Sequence, residues 1–336
     1  MLPLMPLYAA GAALRGAALK LGLRPVRRLQ WPVISVGNLS VGGTGKTPFT
    51  IALAKLLVRE GMHVNVLSRG YGRKESGVLR VDPAGSAEQF GDEPLLIANS
   101  AGVPVYVAAE RWRAGQLAEK ASGLGPGSQA AHLLDDGFQH RQLARQVDIV
   151  LVNSADLGDS LLPAGNLREG LNALKRAQVL AIQEEDELAM RLLQRLGFGS
   201  RRGQLIWRYR REMTGVEDLE RIAGLAFVAF CGIGRPEQFF SGLSKAGIKI
   251  GASRSFPDHH RYSLADMEAL RQLAESTGSK AMVTTAKDLY RLGGLAAARD
   301  GAAMVFAVDL RVVLADETGI VAWLKGVLES ARNAQG

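Results

Sequence analysis

A glycine-rich segment that ends in Gly-Lys-Thr carries the strongest chemical signal in this sequence. The apolar run Val33–Val36 leads into GNLSVGGTGKT, and a helical pattern over Thr47–Arg59 follows. Glycine lets the backbone approach a phosphate, and a helix N-terminus adds N–H groups and partial positive charge. This arrangement predicts a nucleoside triphosphate site in which Lys46 reaches the phosphates and the Thr47 hydroxyl holds Mg²⁺. The predicted nucleotide-binding residues are Gly42, Gly43, Thr44, Gly45, Lys46 and Thr47.

The segment departs from the general phosphate-loop pattern at one position. That pattern has glycine five residues before Gly45, where this chain has Ser40. Position 41 is valine, whereas the deviant loops of dimerising membrane-associated ATPases carry lysine there. A partner-switching ATPase is therefore disfavoured but stays open as an alternative. An ordinary glycine-rich turn between strand and helix is the alternative without a function.

Several carboxylates follow apolar segments and are candidates for the same site. Asp135 and Asp136 end the strand predicted at His132–Leu134, and a carboxylate at a strand end near the phosphate loop holds Mg²⁺ in such proteins. Asp92 and Glu93 precede an apolar helical run, so Asp92 is either a helix N-cap or the base that accepts a hydroxyl proton. The segment Pro163–Glu169 is expected to start another helix, in which Glu169 is a further candidate for the metal shell.

Composition bounds the class of protein. The chain has 336 residues, which suggests about two domains, and it is 47% hydrophobic with one cysteine, which excludes disorder and a disulfide framework. The net charge is +8, but the first 59 residues hold eight of the basic residues and no acid, so the remainder is balanced. A basic excess at one end predicts a local anion-seeking region rather than a protein that coats nucleic acid.

The N-terminal segment, residues 1–30, is predicted to lie at a membrane surface. Residues 1–14 are uncharged and too short to span a bilayer, and Arg15, Lys20, Arg24, Arg27 and Arg28 follow them. A secretory signal has its positive charges before the apolar run, so cleavage is not expected. An apolar stretch beside basic residues suits an anionic leaflet. A helix that packs on the core is the alternative.

Strand and helix patterns alternate along the rest of the chain and predict an α/β fold. Strands are expected at Val33–Val36, Val64–Leu67, Val103–Val107, His132–Leu134, Ile149–Val152, Leu225–Cys231, Ile248–Ala252, Ala281–Thr285 and Met304–Val308, with a connecting strand in residues 201–212. Helices are expected at Thr47–Arg59, Arg111–Ala121, Pro236–Ala246 and from Ser263 to Glu275. The alternation predicts a parallel sheet domain over residues 31–220 and a smaller α/β domain over residues 221–336.

Seven motifs in this order resemble the tetraacyldisaccharide 4′-kinase (lipid A 4′-kinase) family. They are GNLSVGGTGKTP, SRGYGR, GDEP, LLDDGFQH, LPAGNLRE, FPDHH and TTAKD, between residues 37 and 288. Ser40 is normal for this family, whereas Ala286 replaces an acid that the family commonly has, which leaves the roles of Lys287 and Asp288 unsupported.

The resemblance implies a phosphate-loop kinase domain and a smaller α/β domain joined by a hinge, with ATP between them. It implies transfer of the γ-phosphate of ATP to the 4′-hydroxyl of an anionic disaccharide lipid, at the cytoplasmic face of the bacterial inner membrane. No nucleic acid and no obligate protein partner are inferred.

The same resemblance implies a role for each candidate residue. Lys46 and the loop amides hold phosphate, and Asp92 is the base, supported by His259, which is preferred to His260 because it directly follows Asp258. The implied Mg²⁺ ligands are Thr47, Glu93, Asp135, Asp136 and Glu169. A partner-switching ATPase and a kinase for a small soluble metabolite remain alternatives, and the second leaves the N-terminal segment without a role.

Overall fold

A computed structural model of the chain describes residues 25–125, 127–216, 219, 226–296 and 304–333. Its strands are β1 (Val33–Asn38), β2 (His63–Ser68), β3 (Leu79–Arg80), β4 (Val105–Val107), β5 (Ala130–Asp135), β6 (Val147–Val152), β7 (Val179–Gln183), β8 (Leu205–Thr214), β9 (Phe227–Cys231), β10 (Ile250–Ser255), β11 (Ala281–Thr285) and β12 (Met304–Leu314). Its α-helices are α1 (Lys46–Arg59), α2 (Ala87–Phe90), α3 (Asp92–Ala101), α4 (Arg111–Ser122), α5 (Ser154–Leu157), α6 (Glu187–Arg195), α7 (Pro236–Lys245), α8 (Leu264–Ser276), α9 (Ala286–Leu292) and α10 (Glu317–Asn333).

The strands form one sheet in the order β10-β9-β11-β12-β8-β7-β6-β1-β5-β2-β4-β3. Neighbours are parallel except for the pairs β12–β8 and β3–β4. Helices connect most of the successive parallel strands and cover the sheet, because a parallel sheet is buried on both faces. The mixed, mainly parallel α/β fold predicted from the sequence is confirmed.

Strand β12 joins two portions of the sheet: a first portion of strands β1 to β8 and a second portion of strands β9 to β11. Met304–Val308 pair in parallel with β11, and Asp309–Leu314 pair in antiparallel with β8. The strand predicted at Met304–Val308 is thus only the first half of a longer one. The second half is a strand through its pairing with β8, which is distant in sequence.

The last helix, α10, returns to the first portion of the sheet. Its buried residues Ile320, Val321, Leu324 and Leu328 share a hydrophobic core with Phe49 and other residues of α1. The domain boundary near residue 220 stays a prediction, because α10 belongs by sequence to the second domain and by packing to the core of the first.

Of the N-terminal membrane segment predicted at residues 1–30, positions 1–24 lie outside the described residues. The structure describes its last six positions. In those six, the Arg27 amide donates to the Gln142 carbonyl oxygen at 2.8 Å, and the Arg27 guanidinium lies over the Trp112 ring. The chain therefore reaches the sheet on the side of α4. No helix in the part of the chain that the structure describes is both long and apolar enough to cross a bilayer.

Truncation of Leu324 to alanine should destabilise the fold because the side chain is fully buried between α10 and α1. The free energy of unfolding should fall by about 2–5 kcal/mol, measured by denaturant titration. Leu264→Ala is the matched control, since Leu264 is 65% exposed. Equal losses in the two variants would contradict the packing of α10 on this core.

Candidate active site

The candidate site lies where parallel strands end together. Strands β1 and β5 are direct neighbours, with Val36 opposite Asp135, so the glycine-rich loop after β1 and the carboxylates at the end of β5 share one edge. Ligands bind at the carboxyl ends of strands in open α/β sheets. The sheet thus brings the predicted phosphate loop and the predicted metal ligands together.

The phosphate loop leaves the N-terminus of α1 open. Gly45 is the N-cap with φ of 86°, a left-handed conformation that favours glycine, and no side chain caps the helix. The first N–H groups of a helix have no partner within it. They are therefore available to an anion at this loop.

The structure gives a reason for serine at position 40, where the general phosphate-loop pattern has glycine. Its buried hydroxyl donates to Asp156 Oδ2 at 2.9 Å and accepts from the Asn38 side chain at 3.0 Å. The adjacent Val41 amide donates to the Asn166 carbonyl oxygen at 2.9 Å. The motif that contains Asn166 therefore holds the start of the phosphate loop.

Lys46 is held at the loop by two oxygens. Its Nζ donates to Asn38 Oδ1 at 2.9 Å and lies 3.5 Å from Asp136 Oδ1. Asp136 also accepts from Arg168 at 2.9 and 3.1 Å. Burial alone would raise the pKa of Asp136, but the charges of Lys46 and Arg168 hold it below its ordinary value.

Asp135 is surrounded by negative charge. It is buried, its Oδ1 accepts from the Thr50 hydroxyl at 3.1 Å, and burial together with the Glu93 and Asp136 carboxylates raises its pKa to about 7. The positive charge of Lys46 opposes this shift only in part. The residues therefore fit Mg²⁺, which keeps several waters and takes one or two carboxylates beside phosphate oxygens. Among the described residues, no three His, Cys, Asp or Glu side chains form a complete metal cage.

Glu169 pairs with an arginine rather than with this cluster. Its carboxylate accepts from both terminal nitrogens of Arg176, at 2.9 and 3.1 Å. Thr47 lies buried in the first turn of α1, next to Lys46. The place of Glu169 among the metal ligands stays a prediction that requires the ion pair with Arg176 to open.

Asp92 and His259 meet across the two portions of the sheet. His259 Nδ1 lies 3.3 Å from Asp92 Oδ2. Burial alone would raise the pKa of Asp92, but the hydrogen bond to His259 and the charge of Arg291 hold it below its ordinary value. The same contact with Asp92 raises the pKa of His259. Asp92 is therefore an ionised carboxylate at the N-terminus of α3.

The geometry separates the two adjacent histidines. His259 has φ of 59°, and its ring lies 5.2 Å from that of Tyr71 in the SRGYGR loop. His260 instead lies 3.2 Å from Asp266 and stacks on Phe256. Of the two histidines, His259 is the one that contacts Asp92, and its catalytic role stays a prediction.

Three basic residues at this site were not assigned a role from the sequence. Lys287 pairs with Glu93 at 2.6 Å, Arg291 pairs with Asp92, and Arg211 donates to the Thr44 carbonyl oxygen. Lys287 was noted in the TTAKD motif, and its spacing of four from Arg291 places both on one face of α9. Arg211, on β8, lies in none of the seven motifs, so no sequence pattern pointed to it.

A group of arginine side chains lies beside the carboxylates of Asp135 and Asp136. Burial and the positive charges of Arg111, Arg145 and Arg69 lower the pKa of His140 to about 4. The same charges would attract an anionic substrate to this part of the site. His140 is therefore a neutral imidazole at neutral pH.

The fold and the site define a phosphate-loop kinase: a parallel sheet, a glycine-rich loop that opens a helix, and acids at the neighbouring strand end. A family model described as tetraacyldisaccharide-1-P 4′-kinase matches residues 1–329. The chain belongs to this family, which confirms the resemblance and the lipid kinase activity predicted from the sequence. The partner-switching ATPase and the soluble-metabolite kinase find no support.

Individual relatives agree with this assignment. A tetraacyldisaccharide 4′-kinase of Koribacter versatilis is 44% identical, over 94% of either chain, and one of Afipia carboxidovorans is 36% identical over 99% of this chain and 94% of its own. The crystal structure of "apo" form LpxK from Aquifex aeolicus in complex with ATP matches with a TM-score of 0.74 and 33% identity, covering 97% of this chain and 98% of that one.

The pKa of His140 is about 4 in the folded protein and 6.5 ordinarily. Between pH 6.5 and pH 4, therefore, only the unfolded chain binds a proton at this imidazole. The folded state should therefore lose stability as pH falls from about 6.5 to about 4. His140→Gln should recover at most about 2 kcal/mol of the loss between pH 7.5 and pH 5, measured by denaturant unfolding at both values. An identical pH dependence in wild type and variant would contradict a neutral, proton-excluding His140.

Proposed function

We propose that this protein transfers the γ-phosphate of ATP to the 4′-hydroxyl of a tetraacyldisaccharide 1-phosphate in an Mg²⁺-dependent reaction. The observation that carries the proposal is the meeting of Asp92 and His259, from different portions of the sheet, beside the phosphate loop. Phosphoryl transfer depends mainly on positioning and charge neutralisation. The site supplies both through its loop, its cations and its carboxylates.

On this proposal the open N–H groups of α1 and the Lys46 ammonium bind the phosphates. Thr47 and Asp135 would hold Mg²⁺, with Glu93 and Asp136 close by, and Mg²⁺ at this position would supply charge neutralisation for the phosphates. Asp92 accepts the proton of the acceptor hydroxyl, and the contact with His259 orients its carboxylate. The cations around His140 attract the anionic headgroup of the lipid.

We further propose that the protein acts at the cytoplasmic face of the inner membrane, held there by its N-terminal segment. The acyl chains of the acceptor resist leaving a bilayer, at about 0.8 kcal/mol per buried CH₂. The enzyme must therefore reach the membrane surface. The uncharged residues 1–14 and the basic residues after them supply apolar area and attraction to anionic lipid.

Purified protein given γ-labelled ATP, Mg²⁺ and the disaccharide lipid should pass label into the organic phase as a 4′-phosphorylated product. Asp92→Asn should lower kcat by about 10²–10⁴-fold, because the hydroxyl proton loses its acceptor. Its Kd for ATP should stay within about threefold of the wild-type value, since Asp92 acts on the acceptor side. Asp82→Asn, an exposed aspartate, is the matched control. An equal loss of ATP affinity would remove Asp92 from the role of base, and absence of lipid product from folded wild type would reject the function.

Deleting residues 1–24 should reduce the fraction of protein that sediments with anionic vesicles. The deletion removes the apolar run and three basic residues, each worth on the order of 1 kcal/mol at an anionic surface. ATP binding by the truncated protein serves as the control for folding. Unchanged sedimentation would place the membrane contact elsewhere in the chain.

A further inference from the structure

One buried guanidinium connects the candidate base to the second portion of the sheet. Arg291, in the last turn of α9, has a side chain only 6% exposed. Its Nε donates to Asp92 Oδ2 at 3.0 Å, and its Nη2 donates to the same oxygen and lies 3.2 Å from His259 Nδ1. Its Nη1 donates to Asp288 Oδ1 at 2.8 Å and to the Gly232 carbonyl oxygen. These contacts engage all three guanidinium nitrogens.

The contacts to Asp92 are one-sided. The two from Arg291 and the one from His259 all end on Oδ2. Among the described residues, no hydrogen bond is made to Oδ1. A carboxylate fixed through one oxygen presents the other in a defined direction, and a general base must lie within hydrogen-bond reach of the proton that it accepts. These three contacts therefore leave Oδ1 for a further partner.

Arg291 is itself held from behind. Asp288 is fully buried, and its carboxylate accepts from the Gly232 amide at 3.1 Å and from the Thr285 hydroxyl at 2.7 Å. The Gly232 carbonyl oxygen also accepts from the His259 amide at 3.1 Å. The guanidinium and the histidine loop thus share one backbone anchor. A shift of this anchor would move both partners of Asp92 together.

We propose that Arg291 is a positioning residue for phosphoryl transfer, which occupies Asp92 Oδ2 so that Oδ1 faces the acceptor hydroxyl. The inference rests on the proposed function, because it assigns Arg291 to the base of that reaction. Arg291 acts through Asp92 and does not touch the substrate. A planar fork is required, since lysine offers a point charge that cannot hold Oδ2 and the Gly232 anchor in one plane.

Turnover and ATP binding separate this role from a purely structural ion pair. Arg291→Ala should lower kcat on the order of 10²-fold, as expected when a reacting group is misplaced. The Kd for ATP should stay within about threefold of wild type, because Arg291 lies on the acceptor side. Added guanidinium chloride, at a concentration that leaves the fold intact, should restore part of kcat, whereas methylammonium chloride should not. Arg59→Ala, which removes an exposed partner of Glu317, is the matched control. Its kcat should equal the wild-type value and should not rise when guanidinium chloride is added.

A double-mutant cycle keeps the test decisive if Arg291→Ala does not fold. Arg291→Lys retains the charge and should still lower kcat by about tenfold or more. In an Asp92→Asn background the same change should cost almost nothing further, because residues that act as a unit are not additive. Additive losses, or ATP affinity lost in parallel with kcat, would overturn the positioning role. If folded wild type forms no lipid product, the proposed function fails; if wild type is active and the cycle is additive, only the role of Arg291 fails.

Discussion

The constraint on which the site depends is that parallel strands of one sheet end at a common edge. It brings the loop after β1, the carboxylates after β5 and the SRGYGR loop after β2 to one place. Helix α1 begins there with its N–H groups open. Because the sheet continues through β8 and β12, the second portion is also held beside this edge. The residues proposed to act on ATP and on the acceptor thus face one another.

Balance of buried charge decides how the acids at this edge differ. Asp136 has Lys46 and Arg168, Glu93 has Lys287, and Asp92 has Arg291 and His259. Burial and the Glu93 and Asp136 carboxylates raise the pKa of Asp135, and the Lys46 charge and the Thr50 hydroxyl offset this only in part. Neighbouring acids therefore differ in charge state, which suits the roles proposed for them: Asp135 as a ligand of a cation and Asp92 as an ionised base.

Local pattern was sufficient for much of the fold. Strand β11, helix α1 and the phosphate loop lie within a residue or two of their predicted bounds, because apolar periodicity and glycine spacing are local properties. Strand β7, helix α6 and helix α10 were not predicted. The second half of β12 was missed because its strand form depends on pairing with β8, which is distant in sequence. Lys287 and Arg291 were without a role for the same reason, since their partners lie almost two hundred positions earlier.

The sequence alone determined the family, the α/β class, the phosphate loop and the set of acids and histidines from which a kinase site is built. These depend on residue types at short, ordered spacings. Tertiary structure decided which residues contact one another: His259 rather than His260 at Asp92, Glu169 with Arg176, and Arg291 with Asp92. Those pairings follow from distances across the sheet and from the need to neutralise charge in buried places. Neither quantity is contained in the order of residues along a chain.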